Sequence, residues 1–144
     1  MCLYSRSHGF TLIELIAVIV LLAVVSIGVT SRFTDTDTGS AVQASRDDVV
    51  AALFYAQQIA MARDSNANPI RVVATASSIS VTENGAPLLH GSVQYPLTLN
   101  SGVVLAPALI LNYDKLGRTN VAAFTLSRNG ASLSIAVSDS GYAN

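Results

Sequence analysis

The chain has 144 residues with 51% hydrophobic content, 12% charged residues and a net charge of −1. That length suits one domain, and the near-neutral charge gives no basic face of the kind that binds nucleic acid. One cysteine, Cys2, and two histidines, His8 and His90, exclude a disulfide framework and leave little for a metal site.

Residues 1–9 (MCLYSRSHG) hold Arg6 and His8 and no acid. From Phe10 to about Val29 the chain is apolar, apart from Glu14. As a helix this run of about 20 residues is long enough for a bilayer. Basic residues before it place that flank on the cytoplasmic side. An ordinary secretory signal carries its cleavage site after the apolar stretch; here the small residue, Gly9, precedes it. An acid inside such a run is costly unless paired or protonated.

The stretch HGFTLIELIAVIVLLAVVS resembles the N-terminus of type IV pilin-like prepilins, the signal shared by type IV pilins and the pseudopilins of type II secretion. The resemblance implies cleavage after Gly9, a mature N-terminus at Phe10 that becomes N-methylated, and Glu14 as the assembly glutamate. It also implies partners: prepilin peptidase, other pilin or pseudopilin subunits, an inner-membrane assembly platform, and membrane lipid before assembly. Glu14 lies four residues from the new amine, on the same helix face. It is within reach of its own N-terminus or that of a neighbouring subunit, and the second pairing would set the stagger between subunits.

Ser31–Ser40 (SRFTDTDTGS) is rich in weak helix formers. Either the helix continues as a wet stretch or it is kinked there. Ala41–Asp64 returns to helical spacing. Its apolar positions include Val42, Val49, Val50, Leu53, Phe54, Ala56, Ile59, Ala60 and Met61, with Phe54 and Met61 expected in the core. Ser45-x-x-Asp48 offers an N-cap signal. Asn66, Asn68 and Pro69 end the helix.

Beyond Pro69 the period becomes two. Ile70–Thr75 and Ile79–Glu83 read as strands flanking a turn region, and Asn84-Gly85 is a tight-turn signal. Leu88–Tyr95 and Leu97–Leu105 are less regular. Leu109–Tyr113 is a strand entering an Asp114–Gly117 turn, and Val121–Ser127 and Ala131–Ser138 flank the hairpin at Arg128-Asn129-Gly130. Asp139–Asn144 is polar and expected to be loose. The expected fold is α+β: a long N-terminal helix, transmembrane then amphipathic, packed on an antiparallel β-sheet head. The expected divisions are a leader over 1–9, a transmembrane and assembly half over 10–33, an amphipathic half over 34–66, and a β-rich head over 67–144.

Tyr113, Asp114, Gly117 and Arg118, with Phe124, Asn129, Gly130, Ile135, Val137 and Gly141, are similar to the head of H-type minor pseudopilins and related minor pilins. Among these, the minor pilins of the mannose-sensitive haemagglutinin pilus are the nearest in pattern. As a bare turn, Asp114–Arg118 needs no chemistry: Asp opens it and Gly takes positive φ. DNA-capturing minor pilins concentrate arginine near a C-terminal Gly-Arg tail, whereas this chain has no arginine after Arg128. No nucleic acid is expected.

No metal-ligand spacing, P-loop or nucleophile motif is present. His90 reads as a surface residue, and the pairs Asp35/Asp37 and Asp47/Asp48 as solvated acids. The expectation is a non-enzyme without cofactor or metal. The resemblance implies a minor subunit of a type IV pilus, in assembly initiation or at the tip, incorporated through its N-terminal helix. The alternatives are an H-type minor pseudopilin of type II secretion, or a tip adhesin or DNA-capture subunit. The implied location is the bacterial inner membrane, single-pass with a cytoplasmic N-terminus, and then a filament at the cell surface or in the periplasm.

Overall fold

In a computed structural model, the described residues are 11–63 and 67–144, without the side chains of 25–36 and 90. Helix α1 spans Leu12–Ala62. Among the described residues ten strands follow: β1 Ile70–Ala74, β2 Ser78–Glu83, β3 Ala86–Pro87, β4 Leu89–His90, β5 Val93–Gln94, β6 Leu97–Thr98, β7 Val104–Ala106, β8 Leu109–Tyr113, β9 Ala122–Arg128 and β10 Ala131–Val137. The chain divides into two compact units, Met1–Thr36 and Asp37–Asn144.

In the first unit, the side chains described on α1 from Leu12 to Val24 are exposed. Among the described residues, no helix is long and apolar enough to cross a membrane. The expected transmembrane half of the helix is therefore corrected. Glu14 interrupts the apolar run, and an ionisable residue inside a hydrocarbon core is costly. The single-pass inner-membrane location rested on that span and is corrected with it.

Residues 34–40 are helical, despite their weak propensity. In the second unit, tertiary contacts help to hold the start of its helical stretch. Thr38 is buried, and Arg128 Nη2 lies 3.4 Å from Asp37 Oδ2. Ser40 Oγ donates to the Asp37 carbonyl at 3.1 Å.

Val42, Ser45, Val49, Leu53, Ala56 and Ala60 form the buried face of α1. Their spacings of three and four return to one side of a 3.6-residue turn. Phe54 and Met61 each directly follow a core residue, so they are rotated by about 100°. They are 56% and 49% exposed, which corrects their expected place in the core. Ser45 is not an N-cap but a fully buried residue inside the helix. Its Oγ accepts hydrogen bonds from the Asn100 backbone N at 3.2 Å and from Asn100 Nδ2 at 3.1 Å.

The strands make two main antiparallel sheets and a two-stranded ribbon, β4-β5, rather than one sheet. The first has the order β3-β2-β1-β8, with β6 also on β2. β2 is shared along its length: Ser78 and Ile79 pair with β6, and Thr82 and Glu83 pair with β3. β1 pairs Val72 with Val81 on one side and with Leu111 on the other. The second sheet has the order β10-β9-β7. Between β7 and β8 the chain passes from one sheet to the other through Pro107 and Ala108. Proline cannot donate to a ladder, so it suits such a break. Both tight turns expected from Asn-Gly pairs are present: Asn84 and Gly85 have φ of 52° and 83°, and Asn129 and Gly130 have 46° and 90°.

Alternation along the strands sends Ile70, Val72, Ile79, Val81, Leu105, Leu111, Phe124, Leu126, Ile135 and Val137 into one core with the buried face of α1. Each such side chain contributes about 1.5–3 kcal/mol when fully buried.

The expectation of a loose tail is also corrected. Ser138 N donates to Tyr142 O at 2.9 Å, and Ala136 and Asn144 exchange backbone hydrogen bonds at 3.0 and 3.1 Å. The tail thus folds back on β10 and pairs Val137 with Ala143.

Candidate functional site

The sequence directs attention first to Gly9, Phe10 and Glu14. Gly9 and Phe10 lie outside the described residues. Glu14 stands in the first turn of α1 and is exposed. Its backbone N–H donates to Thr11 Oγ1 at 3.3 Å and to Thr11 O at 3.1 Å. Thr11 is therefore the N-cap, and Thr11-x-x-Glu14 has capping-box spacing. A carboxylate there also faces the positive end of the helix dipole. The cap uses the Glu14 backbone N–H, and the T-x-x-E spacing is its signal in the sequence.

Around Glu14, the large apolar side chains from Leu12 to Val24 are between 42% and 76% exposed. Ile13, Leu15, Val18, Leu21 and Val24 share no covered face within the described chain. An apolar helix surface of this extent marks an interaction site.

The Asp114–Arg118 turn satisfies itself. Asp114 Oδ1 accepts from the backbone N–H groups of Leu116 and Arg118 at 2.9 and 2.8 Å, and Oδ2 accepts from Arg118 Nε at 2.9 Å. The backbone hydrogen bond from Arg118, with smaller help from its side chain and from Leu116, holds the Asp114 carboxyl below its ordinary range. Every Asp114 oxygen is committed to the turn, so the residue serves architecture.

Gln57 links this turn to the tail. Its Nε2 donates to Gly117 O at 3.3 Å and to Ser140 O at 2.8 Å. Spacing along the sequence gave no sign of that link.

The exposed face of α1 in the second unit carries Asp47, Ala51, Phe54, Gln58 and Met61. Two open grooves border Phe54. One, of about 390 Å³, is lined by Val50, Ala51, Gln57, Tyr142 and Asp47 among others. The other, of about 280 Å³, is lined by Asp48, Ala51, Tyr55, Val93, Tyr95 and Leu97 among others. Tyr55 and Tyr95 stack at 6.0 Å between ring centroids, and Tyr55 Oη donates to Leu89 O at 2.9 Å. Burial raises the Asp48 carboxyl above its ordinary range, and Asp47 adds to the effect. Asp47 accepts from Gln43 Nε2 at 3.0 Å and lies 3.7 Å from Arg46 Nη1. No ion pair involves Asp48 among the described residues.

Among the described residues, the remaining candidates are not brought together. The side chains of Asp35 and His90 lie outside the described residues, and Asp37 is paired with Arg128. Among the described residues no group of three or more His, Cys, Asp or Glu side chains is placed to hold a metal ion.

Residues 4–30 match the prokaryotic N-terminal methylation motif. No curated protein and no solved structure matches the chain. The expected function, a type IV pilus or secretion subunit incorporated through a membrane-spanning helix, is corrected by the lack of such a helix among the described residues. The chain bears a prokaryotic N-terminal methylation motif, a feature characteristic of type IV pilin-like proteins in general.

Proposed function

We propose that this is a pilin-like, non-enzymatic protein, cut by a prepilin peptidase after Gly9, methylated on the new amine of Phe10, and working among other pilin-like chains. The observation that carries this reading is the overlap of the methylation motif, residues 4–30, with the uncovered apolar surface of Leu12–Val24. Water penalises that surface, so a protein partner is the natural cover. Cleavage supplies a cation four residues before Glu14, a spacing that joins side chains on one helix face. In a neighbouring chain the same two groups form a complementary pair. The turn at Tyr113, Asp114, Gly117 and Arg118 and the β9–β10 hairpin favour kinship with minor pilins and H-type minor pseudopilins, including those of the mannose-sensitive haemagglutinin system.

Mass spectrometry of the chain co-expressed with a prepilin peptidase tests the reading. The expected mature form begins at Phe10 and carries one N-methyl group. A chain that keeps Met1 in the presence of active peptidase overturns it. Glu14→Ala is expected to leave cleavage and folding intact while weakening association with partner chains.

A further inference from the structure

The smaller of the two grooves beside Phe54 joins three aromatic rings to one carboxylate. Asp48, Phe54, Tyr55 and Gln58 of α1 form one wall, and Val93 and Tyr95 form the other, around about 280 Å³. That is close to the lower end of ligand pockets, roughly 300 Å³, and the mix of apolar lining with few polar groups is the usual one.

The wall is fixed before any ligand arrives. Asp48, Tyr55 and Gln58 fall on one strip of α1, at helical spacings of seven and three. Tyr55 and Tyr95 are 7% and 5% exposed, and their rings stack at 6.0 Å with 13° between planes. The Tyr55 hydroxyl is already used, donating to Leu89 O at 2.9 Å. Little side-chain freedom is left to lose on binding. Phe54, 56% exposed, stands at the mouth.

The charge is equally placed. Asp48 is half-buried, and no cation is paired with it among the described residues. Asp47, by contrast, has Arg46 and Gln43 and lines the other groove. Burial, then Tyr55, then Asp48 raise the Tyr95 hydroxyl above its ordinary pKa, so the Asp48 charge is felt at the aromatic pair.

We propose that this groove binds a small quaternary ammonium group of the trimethylammonium type, packed against Phe54, Tyr55 and Tyr95, with Asp48 as its counter-ion. The chemistry of the wall selects this class. A divalent metal ion needs several oxygen ligands, and no group of three or more metal-binding side chains exists among the described residues. A primary ammonium brings three donors that each need an acceptor, which a wall of rings and aliphatic groups supplies poorly. A neutral apolar ligand would strip water from Asp48 without replacing it. A quaternary ammonium has no donor to satisfy, and its charge is attracted both to aromatic faces and to the carboxylate. The site is independent of leader cleavage and of association between chains.

Calorimetric titration of the full-length chain with choline tests the inference. The control is its uncharged carbon analogue, with a tert-butyl group in place of the trimethylammonium. Choline should bind about tenfold more tightly than the analogue. Asp48→Asn should remove that preference, while Asp47→Asn should change it far less. Phe54→Leu keeps an apolar wall without a ring face, so it should weaken choline more than the analogue. Circular dichroism verifies the fold of each variant. Absence of choline binding, equal affinity for choline and its analogue, or equal losses from Asp47→Asn and Asp48→Asn overturns the site. Vesicles of phosphatidylcholine, compared with vesicles of phosphatidylglycerol, distinguish the sources of the group. Asp48-dependent binding to phosphatidylcholine vesicles supports the site with a lipid headgroup as its ligand. Asp48-dependent binding to choline alone supports it with a soluble cation.

Discussion

Gly141 packs so closely on Gly117 that a β-carbon on Gly141 would stand 2.0 Å from the Gly117 carbonyl oxygen. The backbone at Gly141 has φ of 81°, a region closed to most side chains. This contact brings the C-terminal tail against the Asp114–Arg118 turn, and Gln57 hydrogen-bonds to carbonyls on both sides of it.

Gly141→Ala should therefore be among the most damaging single changes in the second unit. Overlap with a backbone oxygen and the positive φ act together, and an expected cost of about 3 kcal/mol or more follows. Urea unfolding monitored by circular dichroism measures it. A loss below about 1 kcal/mol would show that the tail is not held as described.

Gly39 gives the opposite expectation. It lies within α1, and a β-carbon there meets nothing within 4 Å. Gly39→Ala should stabilise by about 0.5–1 kcal/mol through helix propensity. Thermal unfolding checks the sign, and a decrease in the midpoint contradicts the helical assignment through Thr34–Ser40.

Ser45→Ala removes the acceptor for two Asn100 donors in a buried place. Asn100 is exposed, so water reaches its freed donors and the expected cost is the net value of the lost bonds, about 0.5–1.5 kcal/mol. Restoring the apolar match with the double variant Ser45→Ala/Asn100→Ala should recover part of that loss in a double-mutant cycle.

Tyr113 is buried, its hydroxyl has no hydrogen-bond partner among the described residues, and burial pushes its pKa up to about 12. The ordinary value is 10.0. The folded state therefore keeps a proton that the unfolded chain loses, and stability falls as pH rises from 10 towards 12. Tyr113→Phe should flatten that alkaline loss and add about 1 kcal/mol at neutral pH by removing an unpaired buried hydroxyl. Stability measured by urea titration across this pH range would contradict the account if both proteins declined equally.

Asp48 carries the same sign in a different window. Its folded carboxyl sits above the ordinary 3.8 because of burial and then Asp47. The protonated form is favoured by folding, so its contribution is present below pH 3.8 and is lost as pH rises through the folded value. Asp48→Asn in the isolated chain should thus be more stable than the parent at neutral pH, with the gap closing in acid. A gap independent of pH would rule this cause out.

Much of the architecture was legible in the chain alone. The amphipathic period around Leu53, the strands at Ile70 and Leu109, and the Asn84-Gly85 and Asn129-Gly130 turns follow from local spacing and turn chemistry. Glu14 stands out as a distinctive acid, whereas the Thr11 cap beside it uses a backbone donor that residue type alone does not reveal. Ser45 illustrates a wrong local rule. Its residue type fits an N-cap, yet the helix continues through it and Asn100 uses its hydroxyl.

The sequence by itself determined the N-terminal motif, the helix-then-strands order of the second unit and the hairpins, but not the fate of the apolar half of the helix, because the former depend on neighbours a few residues apart. Tertiary structure decided which strands share a sheet, that Phe54 and Met61 face outward, and that the tail is held. Those outcomes depend on partners far away in the chain. A 100° step around the helix separates core Leu53 from exposed Phe54, and composition cannot tell which of two adjacent apolar residues meets the sheet. The Gly117–Gly141 contact likewise has no local signature, since it exists only once the turn after β8 and the reversal after β10 have been brought together.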